Sequence, residues 1–249
     1  MSELDFDRPA GVLVKTTLVD FPGRVAGSFF LKGCNLHCPY CYNTGLVLGN
    51  SSDDDFNTVN ELFTLMEKRQ GILSGIVISG GEPLLNPYTN EIILKAKELG
   101  YKVKIDTNGT LPEKLSELFY NEALRPDFVA MDIKTSPERY GSEICGMHSK
   151  FYGDTQHFVN ALTESARLVA SMPADSREFR TVLVPPLVKK ADIKNMATLL
   201  PEDASWQFAQ FQNGNCLNPI YNKIPPYVDE EINELIAYAQ TLIPGATLR

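Results

Sequence analysis

The chain has 249 residues, a formal charge of −8 and 43% hydrophobic residues. That is enough apolar material for a substantial core, and too acidic a balance for sequence-independent binding to a phosphate backbone or an anionic membrane face. It contains no apolar run long enough to span a bilayer, and its opening "MSELDFDRPA" is acidic where a secretory leader would be basic and then apolar. The expectation is a cytoplasmic protein with neither nucleic acid nor membrane among its partners.

In chain order, "VAGSFFLKG" (25–33) reads as a strand leading into a loop with three cysteines. "FNTVNELFTLMEKRQG" (56–71) reads as a helix ending at Gly71, and "LSGIVISGG" (73–81) as a buried strand closed by two glycines. "NPYTNEIILKAKELG" (86–100) predicts a helix with Asn86 as N-cap, Pro87 in the first turn and Gly100 past the end. Strand "YKVKIDTNG" (101–109), helix "LPEKLSELFY" (111–120) and strand "PDFVAMDIK" (126–134) follow. Residues 135–153 read as a long polar loop. The remaining pattern is helix 154–172, strand 177–186, helix 190–200, strand 205–211 and helix 229–242. Six βα units in succession predict parallel strands with right-handed crossovers. The expected fold is α/β, a partial open (β/α)6 barrel of parallel strands with outer helices. It would be a single domain over 1–249, with a cysteine loop at 33–43 and a C-terminal strand, loop and helix at 204–249. Phe63, Met66, Phe128 and Phe158 fall on apolar faces and are expected in the core.

Three histidines, and no GxSxG, HExxH or GxxxxGK[ST], leave few side chains for hydrolytic chemistry. A cofactor is the expected source of reactivity. Of five cysteines, three crowd into "KGCNLHCPYCYN": Cys34, Cys38 and Cys41. That is a poor disulfide framework and a better metal site. Cys145 and Cys216 are solitary and read as structural. Zinc and an iron–sulfur cluster both accept thiolates. A zinc set completed by His37 is awkward, because His37 adjoins Cys38 and no second cysteine pair exists. A cluster on three cysteines leaves one iron open to a further ligand. The other polar motifs sit where parallel α/β folds place active sites, at the carboxyl ends of strands. "GGEP" follows the second strand, "DTNG" ends the third, "MDIK" ends the fourth, and Arg180 lies in the fifth. Each taken singly is also ordinary turn or cap chemistry.

"CNLHCPYC", with Tyr40 before the last cysteine, resembles the signature of the radical S-adenosylmethionine enzymes. The resemblance implies a [4Fe–4S] cluster on Cys34, Cys38 and Cys41, and S-adenosyl-L-methionine on its fourth iron. Gly80, Gly81 and Glu82 then match the motif for the methionine moiety, and Tyr40 the adenine contact. "DTNG" and "MDIK" resemble the narrower group of glycyl-radical-enzyme activating proteins. This implies cofactor contacts at Asp106, Thr107, Asn108, Lys134 and Arg180, and a monovalent cation held by Asp106, Thr107, the Met131 carbonyl and Asp132. The run from Asp20 to Arg24 matches their D-x-P-G-[RK] motif, which implies a place for Asp20 near the radical end of the site. Over nearly the entire chain the likeness is to the longer form of the anaerobic ribonucleoside-triphosphate reductase activating proteins. It departs at Tyr42-Asn43, where that group has His-Asn, and at Gln212-Asn213 after Phe211. The implied partners are a glycyl radical enzyme as protein substrate and flavodoxin or ferredoxin as electron donor. Two alternatives stay open: a radical enzyme acting on a small molecule or peptide, as 7-carboxy-7-deazaguanine synthases do, and a non-catalytic zinc-binding protein.

Overall fold

The strands anticipated from the sequence are all present in the computed structural model, which describes residues 4–48 and 55–249. The first three residues of the acidic opening lie outside the described residues. The chain divides into two units built from interleaved stretches: Met1–Asn35, Gly45–Thr107 and Lys114–Val129 in one, and Leu36–Thr44, Asn108–Glu113 and Ala130–Arg249 in the other.

The first unit opens with β1 (Pro9–Thr17) and β2 (Ala26–Leu31), an antiparallel pair in which Gly11 faces Leu31. A short helix, α1 (Thr44–Leu48), follows the cysteine loop. Then β3 (Asn57–Thr58) pairs antiparallel with β1 and leads directly into α2 (Val59–Lys68). The sequence reading assigned residues 56–58 to the helix. Phe56 instead lies in a bend, and Asn57–Thr58 form a two-residue strand, too short to carry a period of its own, whose second residue is the N-cap. Thr58 Oγ1 accepts from the Glu61 amide at 3.1 Å, and Glu61 Oε2 accepts from the Thr58 amide at 2.7 Å, a capping box worth about 1 kcal/mol. Val59, Leu62, Leu65 and Met66 recur at helical spacing and are buried. Met66, Phe128 and Phe158 are core residues as expected, whereas Phe63 is half-buried against the Phe6 ring.

β4 (Gly75–Gly80), α3 (Thr89–Glu98), β5 (Lys102–Thr107), α4 (Pro112–Tyr120) and the start of β6 (Phe128–Asp132) complete this unit. Its strand order is β3-β1-β2-β4-β5-β6. β2 runs parallel to β4, from Ala26 opposite Gly75 to Leu31 opposite Gly80, and β4 runs parallel to β5. Ile76, Val77 and Ile78 are fully buried in succession, which marks a parallel strand covered on both faces. Asn86 corrects one expectation. It is not the cap of α3, since Tyr88 precedes that helix. Asn86 instead ends a 3-10 turn at Pro83–Leu85, where its Oδ1 accepts from the Tyr88 amide at 3.0 Å.

The second unit continues β6 and adds α5 (Thr155–Ala170), β7 (Arg177–Leu183), α6 (Lys190–Ala197), β8 (Trp206–Gln210), α7 (Asp229–Gln240) and β9 (Ala246–Leu248), in the strand order β6-β7-β8-β9. β7, β8 and β9 are parallel neighbours. Trp206 is fully buried beside Phe208, and its indole N–H donates to Thr181 Oγ1 at 3.0 Å, which satisfies the polar end of the ring. The fold is thus α/β with a mostly parallel open sheet. β1, β3 and β9 extend the sheet beyond the six strands read from the sequence. Residues 135–153 are not merely a polar loop: across a 3-10 turn, Pro137–Arg139, and a wider π-helical turn, Tyr140–Ile144, the residues Tyr140, Ile144 and Cys145 are completely buried.

Candidate active site

The carboxyl ends of β2, β4 and β5 gather one set of the anticipated residues within the first unit. β2 runs into Gly33, whose φ of +93° turns the chain toward Cys34. The Gly81 amide donates to the Leu31 carbonyl at 3.0 Å, and the Glu82 amide to the Gly33 carbonyl at 2.8 Å. A Cβ on Gly81 would lie 2.0 Å from the Gly33 oxygen, and one on Gly80, at φ +119°, would lie 2.3 Å from the Leu31 amide nitrogen. The sequence reading explained the glycines by close approach to a ligand; the end of β4 also closes directly on the segment that carries Cys34, which by itself leaves no room for a side chain at either position. Glu82 is fully buried and fixes its own loop: Oε1 accepts from the Leu84 amide at 3.1 Å and from Thr107 Oγ1 at 3.0 Å.

Asp106 is held from two sides. Ser79 Oγ donates to Oδ2 at 2.9 Å, and Lys104 Nζ lies 2.8 Å from Oδ1. Lys104 also donates to the Asp20 carbonyl at 2.7 Å. The Asp20 carboxylate accepts from Ser28 Oγ at 2.7 Å. Next to it, Phe21 packs with Ala26 and Phe128 and against Gly75, at the amino ends of β2, β6 and β4. Within this unit Phe21 therefore lies at the amino ends of the strands, while Asp20 stands against Ser28 in β2 and Lys104 in β5.

The second unit holds the other set. The loop of Cys38, Tyr40 and Cys41 is pinned by its backbone. The His37 amide donates to the Ile144 carbonyl at 3.0 Å, the Leu217 amide to Cys41 at 2.8 Å, and the Asn218 amide to Pro39 at 2.9 Å. Tyr40 is buried edge-on against Phe211 at 6.4 Å. Burial pushes its phenol well above the usual value, against the pull of Lys134. Arg180 Nε and Lys134 Nζ lie 2.7 and 3.4 Å from the Asp132 carboxylate. Burial alone would raise Asp132, but the two cations prevail and bring it down to about 2. Burial likewise opposes the Lys134 ammonium, yet Asp132 holds it well above its ordinary range. Tyr140 accepts from the Lys134 amide at 2.7 Å. Met131 is fully buried against Gly109, and the Asn108 carboxamide oxygen accepts from the Thr110 amide and hydroxyl at 3.0 and 2.6 Å. Both carboxylates expected beside a cation, Asp106 and Asp132, thus already face cationic side chains of the chain.

None of the five cysteines is in a disulfide. Cys38 is buried, and Cys34 and Cys41 are half-buried. Among the described residues, no three His, Cys, Asp or Glu side chains are arranged around a single ion. A cluster places its thiolates on separate irons. Three thiols within eight positions, none of them in a disulfide, on a loop tied down by main-chain bonds, fit that donor set. Cys145 is fully buried, with Sγ 3.2 Å from the Gly141 carbonyl, and Cys216 is buried beside the Cys41 segment. The sequence reading passed over Lys104, Tyr140 and Phe211. Lys104 did leave a signal, since a lysine two residues before Asp106 on a strand must share its face.

Residues 28–172 match the Radical SAM superfamily. A Methanocaldococcus jannaschii protein that carries the provisional name of glycyl-radical enzyme activating enzyme is 31% identical over 242 residues, covering 95% of this chain and 94% of its own. A 7-carboxy-7-deazaguanine synthase from Hyperthermus butylicus is 35% identical over 96 residues, 37% of this chain and 38% of its own. Among solved structures, Streptococcus suis SuiB superposes with a TM-score of 0.55 at 16% identity over 89% of this chain, a likeness of fold; the chain spans 46% of SuiB's length. No helix among the described residues is long and apolar enough to cross a membrane.

Proposed function

The chain belongs to the radical SAM superfamily, and from that membership we propose that it is an activating enzyme for a glycyl radical enzyme. The observation that carries the narrower reading is the 31% identity to a protein so named over 95% of one chain and 94% of the other. When bound on Cys34, Cys38 and Cys41, a [4Fe–4S] cluster with S-adenosylmethionine would supply one-electron cleavage and a carbon-centred radical able to take a hydrogen from a glycine of the partner. The chain's own residues bind, orient and shield. Gly80, Gly81 and Glu82 form a rigid shelf beside Cys34, and Asp106, Thr107 and Asn108 offer polar groups at the end of β5. Lys134 and Arg180 supply positive charge toward a carboxylate, and Tyr40 closes an apolar wall. Holding reactants in place and excluding water is the whole of the protein's task in such a reaction. A monovalent cation at Asp106, Thr107, Met131 and Asp132 would add to charge that Lys104, Lys134 and Arg180 already provide. Flavodoxin or ferredoxin is the proposed electron donor, and the cytoplasm the proposed location.

The test is anaerobic. Reconstituted protein, S-adenosylmethionine and dithionite should yield 5′-deoxyadenosine and, with the cognate glycyl radical enzyme added, a protein radical visible by electron paramagnetic resonance. Protein that binds zinc in place of iron and forms no 5′-deoxyadenosine sinks the reading. Turnover with a purine-like small molecule and no protein radical would favour a synthase instead. The partial likeness to the Hyperthermus butylicus 7-carboxy-7-deazaguanine synthase, over 37% of the chain, supports that second reading.

A further inference from the structure

A lysine is an unexpected side chain in the middle of β5. Lys104 is fully buried, between Val103 and Ile105, which are also closed to solvent. Side chains two apart on a strand share a face, so Lys104 and Asp106 rise from the same side, with the ammonium 2.8 Å from Asp106 Oδ1. The same nitrogen donates to the Asp20 carbonyl at 2.7 Å and stands 5.7 Å from the centre of the Phe128 ring. Ser79 Oγ binds the other Asp106 oxygen, and Ser28 Oγ binds the Asp20 carboxylate. The contacts therefore form a chain: Ser28, Asp20, Lys104, Asp106, Ser79. It begins in a turn whose tip residues, Leu18 and Val19, are 73% and 68% exposed, and it ends at the carboxyl end of β5. A charge removed from water is tolerated only beside an opposite charge. Asp106 is thus paired with an ammonium that also grips the turn, while Ser79 holds its other oxygen.

We propose that Lys104 is a positioning residue for S-adenosylmethionine. It acts through Asp106, holding that carboxylate in the orientation at which the cofactor meets it, and ties that orientation to the backbone of the Asp20 turn. The proposal rests on Asp106 being a cofactor contact in the reading above. Methionine has nearly the same length and fills the same space, but has no ammonium to donate.

The experiment compares wild type, Lys104→Met, Asp106→Asn and the double variant as anaerobically reconstituted holoproteins. It measures iron content, the dissociation constant of S-adenosylmethionine by equilibrium dialysis, and KM and kcat for 5′-deoxyadenosine formation. Lys104→Met should keep its iron and kcat while Kd and KM rise roughly tenfold, and the double variant should be no worse than the weaker single one, because both changes remove one shared contact. Amide exchange across residues 18–24 should rise in Lys104→Met and stay unchanged in Asp106→Asn. A folded Lys104→Met with wild-type Kd overturns the proposal, as do losses that add in the double variant. Should Lys104→Met not fold, the double variant removes both charges and is compared with Asp106→Asn. Equal Kd values support the proposal, and a further loss of about tenfold overturns it. Wild-type holoprotein that binds no S-adenosylmethionine overturns the functional reading and this inference together. Wild-type binding that Lys104→Met leaves untouched overturns this inference alone.

Discussion

Arg180 Nε donates to Asp132 Oδ1 at 2.7 Å, so the carboxylate that ends β6 is gripped by a guanidinium from the next strand, β7. The pair joins residues 48 apart in sequence. It orders the end of β6 from which Lys134 follows, and it sets the ionisation of Asp132.

The pH dependence of stability follows from that pair. Asp132 is held at about 2, against roughly 3.9 for a free aspartate. A depressed carboxyl adds stability that is present above its unfolded value and is lost as pH falls through its folded one. Asp132→Asn should therefore destabilise the cluster-free protein most near about pH 6, and progressively less between about pH 4 and pH 2. Urea unfolding of both proteins across this range reads the difference. A gap that stays constant with pH would mean that the ionised carboxylate is not what Arg180 stabilises.

Gly81→Ala should be costly although alanine is the smallest available change. Its Cβ would sit 2.0 Å from the Gly33 carbonyl oxygen, and the nearest atoms are Gly33 backbone rather than the far end of a flexible side chain. The expected loss is about 1–3 kcal/mol of stability, with weaker iron retention because the segment leading to Cys34 must shift. Denaturant midpoints and iron content measure both, and a wild-type midpoint would show that the two strand ends can part without penalty.

Cysteine substitutions separate ligands from packing residues. Cys38→Ala should abolish iron–sulfur absorbance after reconstitution. Cys145→Ala should retain about four irons per chain, because Cys145 is closed off against the Gly141 carbonyl. Equal loss in the two variants would mean that the ligands are misassigned.

Asn222 should matter for cluster retention without touching a cysteine side chain. Its Oδ1 accepts from the Cys216 amide at 2.7 Å, and the next two residues hold the Cys41 and Pro39 carbonyls. Asn222→Ala should cost about 1 kcal/mol and speed the loss of iron to a chelator. A chelation rate equal to wild type would show that the loop keeps its shape without this tether.

The alternation of strands and helices was legible because it rests on local period. Runs such as "GIVIS" and the helical spacing of Val59, Leu62, Leu65 and Met66 need no partner to be recognised. β1 was overlooked because it exposes much of one face, and β3 and β9 because two or three residues carry no period. The loop at 135–153 misled for a different reason. Its glycines and polar residues read as a polar loop, while Tyr140, Ile144 and Cys145 are buried, with Ile144 tied to His37 and Tyr140 packed on Phe158. Among the anticipated site residues, the glycine pair and Glu82 also serve the fit of one strand end on another, which only the register of β2 and β4 reveals.

The cysteine spacing, the order of motifs after successive strands and the acidic surface balance were determined by the sequence alone, since each is a property of neighbours along the chain. Tertiary structure decided the pairings. Lys104 meets the Asp20 carbonyl, Arg180 meets Asp132, and the Leu217 amide meets Cys41. Those contacts depend on strand order and register, and a one-residue slip of any strand would turn the side chain to the other face. The chemistry is written in residue types, and its geometry is set by long-range packing that no local pattern encodes.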